Sequence, residues 1–133
     1  MRKLGLSTII CLLFFSFKGS PGKKIIGHWT SKIDLYDLKV NDTLNFTKIK
    51  YTDRLYQWGG ALAGINLSTD NNFEEYNNVL CSSETSPVRY TDEKWTLNQN
   101  TISINSSERE MDWKIVEVNS KTLKVVVLKI NTK

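Results

Sequence analysis

Trp95-Thr96-Leu97-Asn98-Gln99-Asn100-Thr101-Ile102-Ser103-Ile104 is the stretch whose reading decides the fold class. Trp95 and Leu97 alternate with a threonine, and Ile102 and Ile104 alternate with a serine. Asn98-Gln99-Asn100 between them has turn chemistry. Two half-buried strands joined by a tight turn are a β-hairpin, because side chains of a strand point alternately to its two faces. The same pattern extends outward. Met111, Trp113 and Ile115 alternate next, Asn119-Ser120-Lys121-Thr122 turns, and Leu123 to Ile130 reads as the last strand. Val125-Val126-Val127-Leu128 is apolar on both faces, so this strand is central or its outer face is covered.

Towards the N-terminus the signals continue. Ile25 to Ile33 reads as a first strand, opened by Gly27-His28-Trp29, and Thr43 to Tyr51 as a second, with Leu44 and Phe46 in phase. Arg54 to Trp58 reads as a third, which Gly59-Gly60 would bend or bulge on its way into Ala61 to Leu67. Phe73 to Leu80 has Phe73, Tyr76 and Leu80 at helical spacing, but Asn77-Asn78 disfavours a helix and the segment is read as a strand. Sequential hairpins of this kind point to an all-β chain folded as a small up-and-down antiparallel β-barrel.

The 133 residues suffice for one domain. Met1-Arg2-Lys3 is a positive head, Leu4 to Phe17 an apolar run, and Lys18-Gly19-Ser20-Pro21-Gly22 a helix-breaking, small-residue end. That is the grammar of a helical signal peptide over residues 1–20, with the β-domain at 25–133. The run is shorter than the roughly 20 apolar residues a spanning helix needs. Cleavage after Ser20 and retention as an anchor both stay open, and a membrane enters only through the second. Cys11 lies inside the apolar run and lacks the small residue that a lipoprotein signal places before its cysteine. The expectation is an exported protein, periplasmic or secreted, and not a lipoprotein. Without the leader's Arg2, Lys3 and Lys18, 15 basic side chains face 14 acidic ones, so the net charge of +4 belongs mostly to the leader. Nothing in this balance asks for nucleic acid.

Chemistry-bearing residues are sparse. His28 is the only histidine, and its strand position points it opposite to Trp29, towards solvent. Cys81 is alone outside the leader, so it cannot form an intramolecular disulfide there and is read as a small packed residue. Glu108, Glu110 and Asp112 would line one face of a strand. This row suits a hard cation or, more simply, a solvated outer face offset by Arg109 and Lys114. Glu74 and Glu75 point to opposite faces, which argues against a paired-carboxylate acid/base site. The chain has no nucleophile elbow, phosphate-binding loop, zinc helix or Cys-x-x-Cys. The expectation is therefore no enzyme, no cofactor and no metal.

In order along the chain, Gly27-His28-Trp29, Leu44-Asn45-Phe46, Trp95-Thr96-Leu97, Ile102-Ser103-Ile104, Trp113-Lys114-Ile115 and Leu123-Lys124-Val125 resemble the lipocalin-like domain of envelope proteins from Bacteroidetes-type bacteria. The likeness spans about Ile25 to Lys129. It departs where Tyr51-Thr52-Asp53-Arg54 stands in place of the family's frequent Asp-Gly. The resemblance implies a small barrel with Trp29 plugging its closed end, and says little about function. Asp42-Thr43-Leu44 resembles the O-glycosylation signal of the same bacteria, with Thr43 as acceptor.

Two functions follow. In the first, the barrel is a cup holding a small apolar or amphipathic ligand, with Tyr56, Trp58, Tyr76 and Trp113 around its mouth. In the second, side chains fill the barrel, and the protein is a structural or interaction module of the cell envelope that docks a protein partner through the outer face of Leu123 to Ile130.

Overall fold

The computed structural model describes residues 21–33, 35, 37–50, 63–78, 85–86 and 92–133. The leader, Tyr56, Trp58 and Cys81 lie outside them, as does the strand expected from Arg54 to Trp58.

Among the described residues the chain runs as α1 (Pro21–Ile25), β1 (Gly27–Ser31), β2 (Thr43–Ile49), β3 (Ala63–Leu67), β4 (Phe73–Asn78), β5 (Thr85–Ser86), β6 (Lys94–Asn98), β7 (Thr101–Asn105), β8 (Arg109–Val118) and β9 (Thr122–Thr132). The strands form one sheet in the order β5-β4-β3-β1-β2-β9-β8-β7-β6, and every pairing is antiparallel. The hairpin read from Trp95 to Ile104 is β6–β7, with Asn98 opposite Thr101 and Gln99 at a positive φ of 53° in its turn.

The sheet curls until its two sides meet. Asn72 bridges Lys94, the Phe73 amide donates to the Glu93 carbonyl at 3.0 Å, and the Trp95 amide donates to the Asn71 carbonyl at 2.9 Å. This seam makes the sheet a nearly closed up-and-down antiparallel barrel of the lipocalin-like kind, whose neighbouring strands alternate in direction all the way round. Closure demands tilted strands. Followed one way from Trp29, the cross-strand pairs run through Ile65 to Glu75, beyond the start of β6. Followed the other way, they reach Lys48, whose amide donates to Lys121 in the turn before β9.

Two details differ from the sequence expectation. Ile25 ends a short helix instead of opening β1: Pro21 supplies a helix-compatible first residue, and the Ile25 carbonyl turns to accept the Trp29 indole N–H at 2.7 Å. The strand begins at Gly27, whose φ of 129° favours glycine, and a Cβ there would lie 2.9 Å from Lys48 Cε. Nor are all consecutive strands neighbours. β1 lies between β2 and β3 in the sheet, so these two strands, consecutive after it in the chain, do not pair with each other.

Alternating residues of the strands face the interior, and Ile65, Leu67 and Phe73 from β3 and β4 join them. Leu44 and Phe46 from β2, Trp95 from β6, Ile102 and Ile104 from β7, Met111, Trp113 and Ile115 from β8, and Leu123, Val125 and Val127 from β9 are buried. β9 is central, paired with β2 and β8. Bulges at the 112/113 and 115/117 steps of the β8–β9 ladder leave Val116 and Leu128 exposed on the outside.

Candidate functional site

Trp29 is fully buried where β1 begins. Its indole N–H is satisfied by Ile25, and Lys48 Nζ sits 4.8 Å from its ring centroid while donating to the Lys24 carbonyl at 3.2 Å. Trp113 on β8 is fully buried. Its ring stacks on Phe46 from β2 at 5.9 Å and meets Phe73 from β4 edge-on at 5.8 Å. These three rings come from β2, β4 and β8 and pack against one another inside the barrel. The Trp113 Nε1 hydrogen is buried without an acceptor.

Of the other residues expected at the mouth, Tyr56 and Trp58 lie outside the described residues. Tyr76 is half-buried on the face of β4 opposite to Phe73 and Glu75, with its hydroxyl donating to Glu74 Oε2 at 2.8 Å beside Asn66. Thr43 is exposed at the start of β2, and His28 is half-buried on β1.

The end of the barrel where β8 starts holds a cluster that the sequence pattern did not reveal. In that pattern Arg109 counts only as a charge offsetting the row Glu108, Glu110 and Asp112. It points inward instead, because it shares the phase of Met111, Trp113 and Ile115 on β8. Its Nε donates to Glu93 Oε2 at 2.8 Å and its Nη2 to Glu93 Oε1 at 2.6 Å, a two-pronged grip. The same Nη2 donates to Glu75 Oε2 at 2.6 Å. Glu75 and Glu93 are each 1% exposed and Arg109 7%. Phase was the available signal here too, since Glu75 is in step with Phe73, and Glu93 with Trp95.

The electrostatics of this cluster are uneven. Two carboxylates face one guanidinium, and Glu75 Oε1 is buried with no partner. Burial pushes the Glu93 carboxyl above its ordinary value, although the Arg109 hydrogen bond and charge pull the other way. Burial works against the Arg109 charge, but Glu93 and Glu75 outweigh it and hold the guanidinium firmly protonated. The outward carboxylates behave differently. Glu110 pairs with Lys129 at 3.0 Å and Lys133 at 3.4 Å, and these lysines hold it below the ordinary range. Among the described residues no three His, Cys, Asp or Glu side chains converge as a metal-binding group.

No protein-family model, no curated protein and no solved structure matches this chain. The chemistry must be read from the geometry alone. A buried guanidinium between two carboxylates can hold β4, β8 and the residue before β6 together.

Proposed function

We propose that this protein is an exported, non-enzymatic barrel, filled by its own side chains, that works through its outer surface as a structural or interaction module of the cell envelope. The observation that supports this reading is the Phe46–Trp113–Phe73 ring contact between β2, β8 and β4 in the interior. Export and the envelope rest on the leader-like residues 1–20 and on the lipocalin-like sequence pattern. Val116, Val126 and Leu128 are the apolar side chains that the outer face of β8 and β9 offers a protein partner.

A ligand-binding cup is the second reading, favoured by two inward polar atoms without partners, Trp113 Nε1 and Glu75 Oε1. Titration with a panel of fatty acids and lipophilic probes separates the two. A filled barrel keeps its tryptophan emission and melting temperature unchanged. Saturable quenching at micromolar probe would give the cup first place.

A further inference from the structure

Three segments that meet at the Trp29 end of the barrel carry exposed lysines. Lys23 and Lys24 belong to α1, Lys50 directly follows β2, and Lys121 lies in the turn between β8 and β9. Lys48, near the end of β2, draws the segments together. Its amide donates to the Lys121 carbonyl at 2.8 Å, its Nζ donates to the Lys24 carbonyl at 3.2 Å, and that Nζ lies 4.8 Å from the Trp29 ring centroid. Trp29 in turn binds the Ile25 carbonyl of α1. Lys48 is thus committed inside the structure. Lys23, Lys24, Lys50 and Lys121 reach solvent and make no ion pair among the described residues.

Acidic side chains in the adjoining described segments do not balance these charges. α1 has no acid in its first turn. Glu117, before the β8–β9 turn, stands opposite Lys124 and accepts from Asn119 Nδ2 at 3.4 Å. Asp70, in the turn after β3, accepts from Ser68 and lies beside Lys94.

The sequence ties the same end to an apolar segment. Pro21 opens α1, and the apolar run Leu4 to Phe17 stands just before it. Fully extended, the chain from Phe17 to Pro21 spans at most about 14 Å. Charges act over roughly 10 Å at moderate salt. A membrane that holds the run therefore holds the lysine end near its headgroups. Cleavage after Ser20 would instead leave a cationic amino terminus at this end.

We propose that the α1 end of the barrel is a docking face for an anionic bilayer, with the ammonium groups of Lys23, Lys24, Lys50 and Lys121 among the lipid phosphates. Each lysine near such a surface is worth about fivefold in affinity, and the attraction fades within a Debye length. Ile25 is fully buried and Ile26 and Ile49 are half-buried, so the contact is electrostatic and salt-sensitive. The proposal gives the exported module a membrane-facing end, and it rests on that reading for where the bilayer is met.

Co-sedimentation of the full chain with vesicles tests this, using phosphatidylcholine alone and with phosphatidylglycerol added. The apolar run serves both vesicles alike, so the gain on the anionic ones reports the lysines. That gain should be about 25-fold at low salt, the equivalent of two fully engaged lysines. It should vanish at high salt. Lys23→Gln, Lys24→Gln, Lys50→Gln and Lys121→Gln together should abolish it. Lys32, Lys39, Lys129 and Lys133 lie towards the opposite ends of β1, β2 and β9, and changing these four to glutamine removes the same charge and should leave the gain in place. Should the first fourfold variant not fold, Lys23→Gln with Lys24→Gln alone should still cut the gain by about fivefold or more. Equal binding to the two vesicles, or equal losses from the two fourfold variants, would overturn the docking face. So would tight binding to soluble polyphosphate without a gain on anionic vesicles, which points to a soluble polyanion. Failure with vesicles leaves export standing, whereas a cytoplasmic location on cell fractionation defeats export and leaves the vesicle result unmoved.

Discussion

Arg109 grips Glu93 through two hydrogen bonds, Nε to Oε2 at 2.8 Å and Nη2 to Oε1 at 2.6 Å, with both side chains sealed inside the barrel. The bond joins the start of β8 to the residue before β6, across β7. With Glu75 it forms an ionic knot at one end of the barrel, and the energetics of that knot set the first expectation.

Arg109→Met should destabilise the fold by about 3–5 kcal/mol, because it strands two buried carboxylates without their counter-ion. Urea unfolding measures this. Combining Arg109→Met with Glu75→Leu and Glu93→Leu should recover most of the loss, since a buried ion cluster and a well-packed apolar set of similar volume are close in stability. A triple variant as unstable as the single one would show that the cluster contributes net stability beyond its own desolvation.

Trp29 and Trp113 are both fully buried, yet only Trp29 has a hydrogen-bond acceptor for its indole. Trp29→Phe leaves the Ile25 carbonyl unpaired as well as losing area. Trp113→Phe removes a donor that had no partner. The first should therefore cost about 1–3 kcal/mol more than the second. Equal costs would mean that the Ile25–Trp29 bond adds nothing net.

Trp29→Ala should cost roughly 3–5 kcal/mol by chemical denaturation. A loss below about 1 kcal/mol would contradict its burial. Gly27→Ala should also destabilise, for a separate reason: its φ of 129° strains any L side chain, and the new Cβ would press on Lys48 Cε.

Stability should fall on both sides of the ordinary carboxylate range. Side-chain hydrogen bonds from Ser68 to Asp70, from Ser107 to Asp92 and from Lys129 to Glu110 hold these exposed carboxyls below their ordinary values, and their contribution disappears as pH falls through the lowered values. Glu93, displaced upward by burial, acts in the opposite sense, and its ionisation weakens the fold as pH climbs past 4.5. Calorimetric melting temperatures across this span should peak and then decline. Glu93→Gln should flatten the upper limb and leave the acid limb in place. A wild-type melting temperature that only rises towards neutrality would refute this balance.

Much of the fold was legible because a strand's side-chain period is local. Met111, Trp113 and Ile115 declare the inward face of β8 without reference to any other element, and Asn98-Gln99-Asn100 declares its turn. The hairpin β6–β7, the adjoining β8 and β9 and the buried face of β2 followed from such patterns. Even the direction of Arg109 was written in that phase. It went unused because a charged side chain between Glu108 and Glu110 is ordinarily weighed by its charge and not by its parity.

The sequence could not say which strands would be neighbours across long separations. β1 between β2 and β3, β9 against β2, and β4 meeting β6 at the seam are set by the registers that bury the whole interior at once. Local patterning leaves those choices open, since each strand carries the same alternation whichever partner it takes. Tertiary closure also brought Glu75, Glu93 and Arg109 together from separate strand edges, and only there does an inward charge find partners that make its burial tolerable.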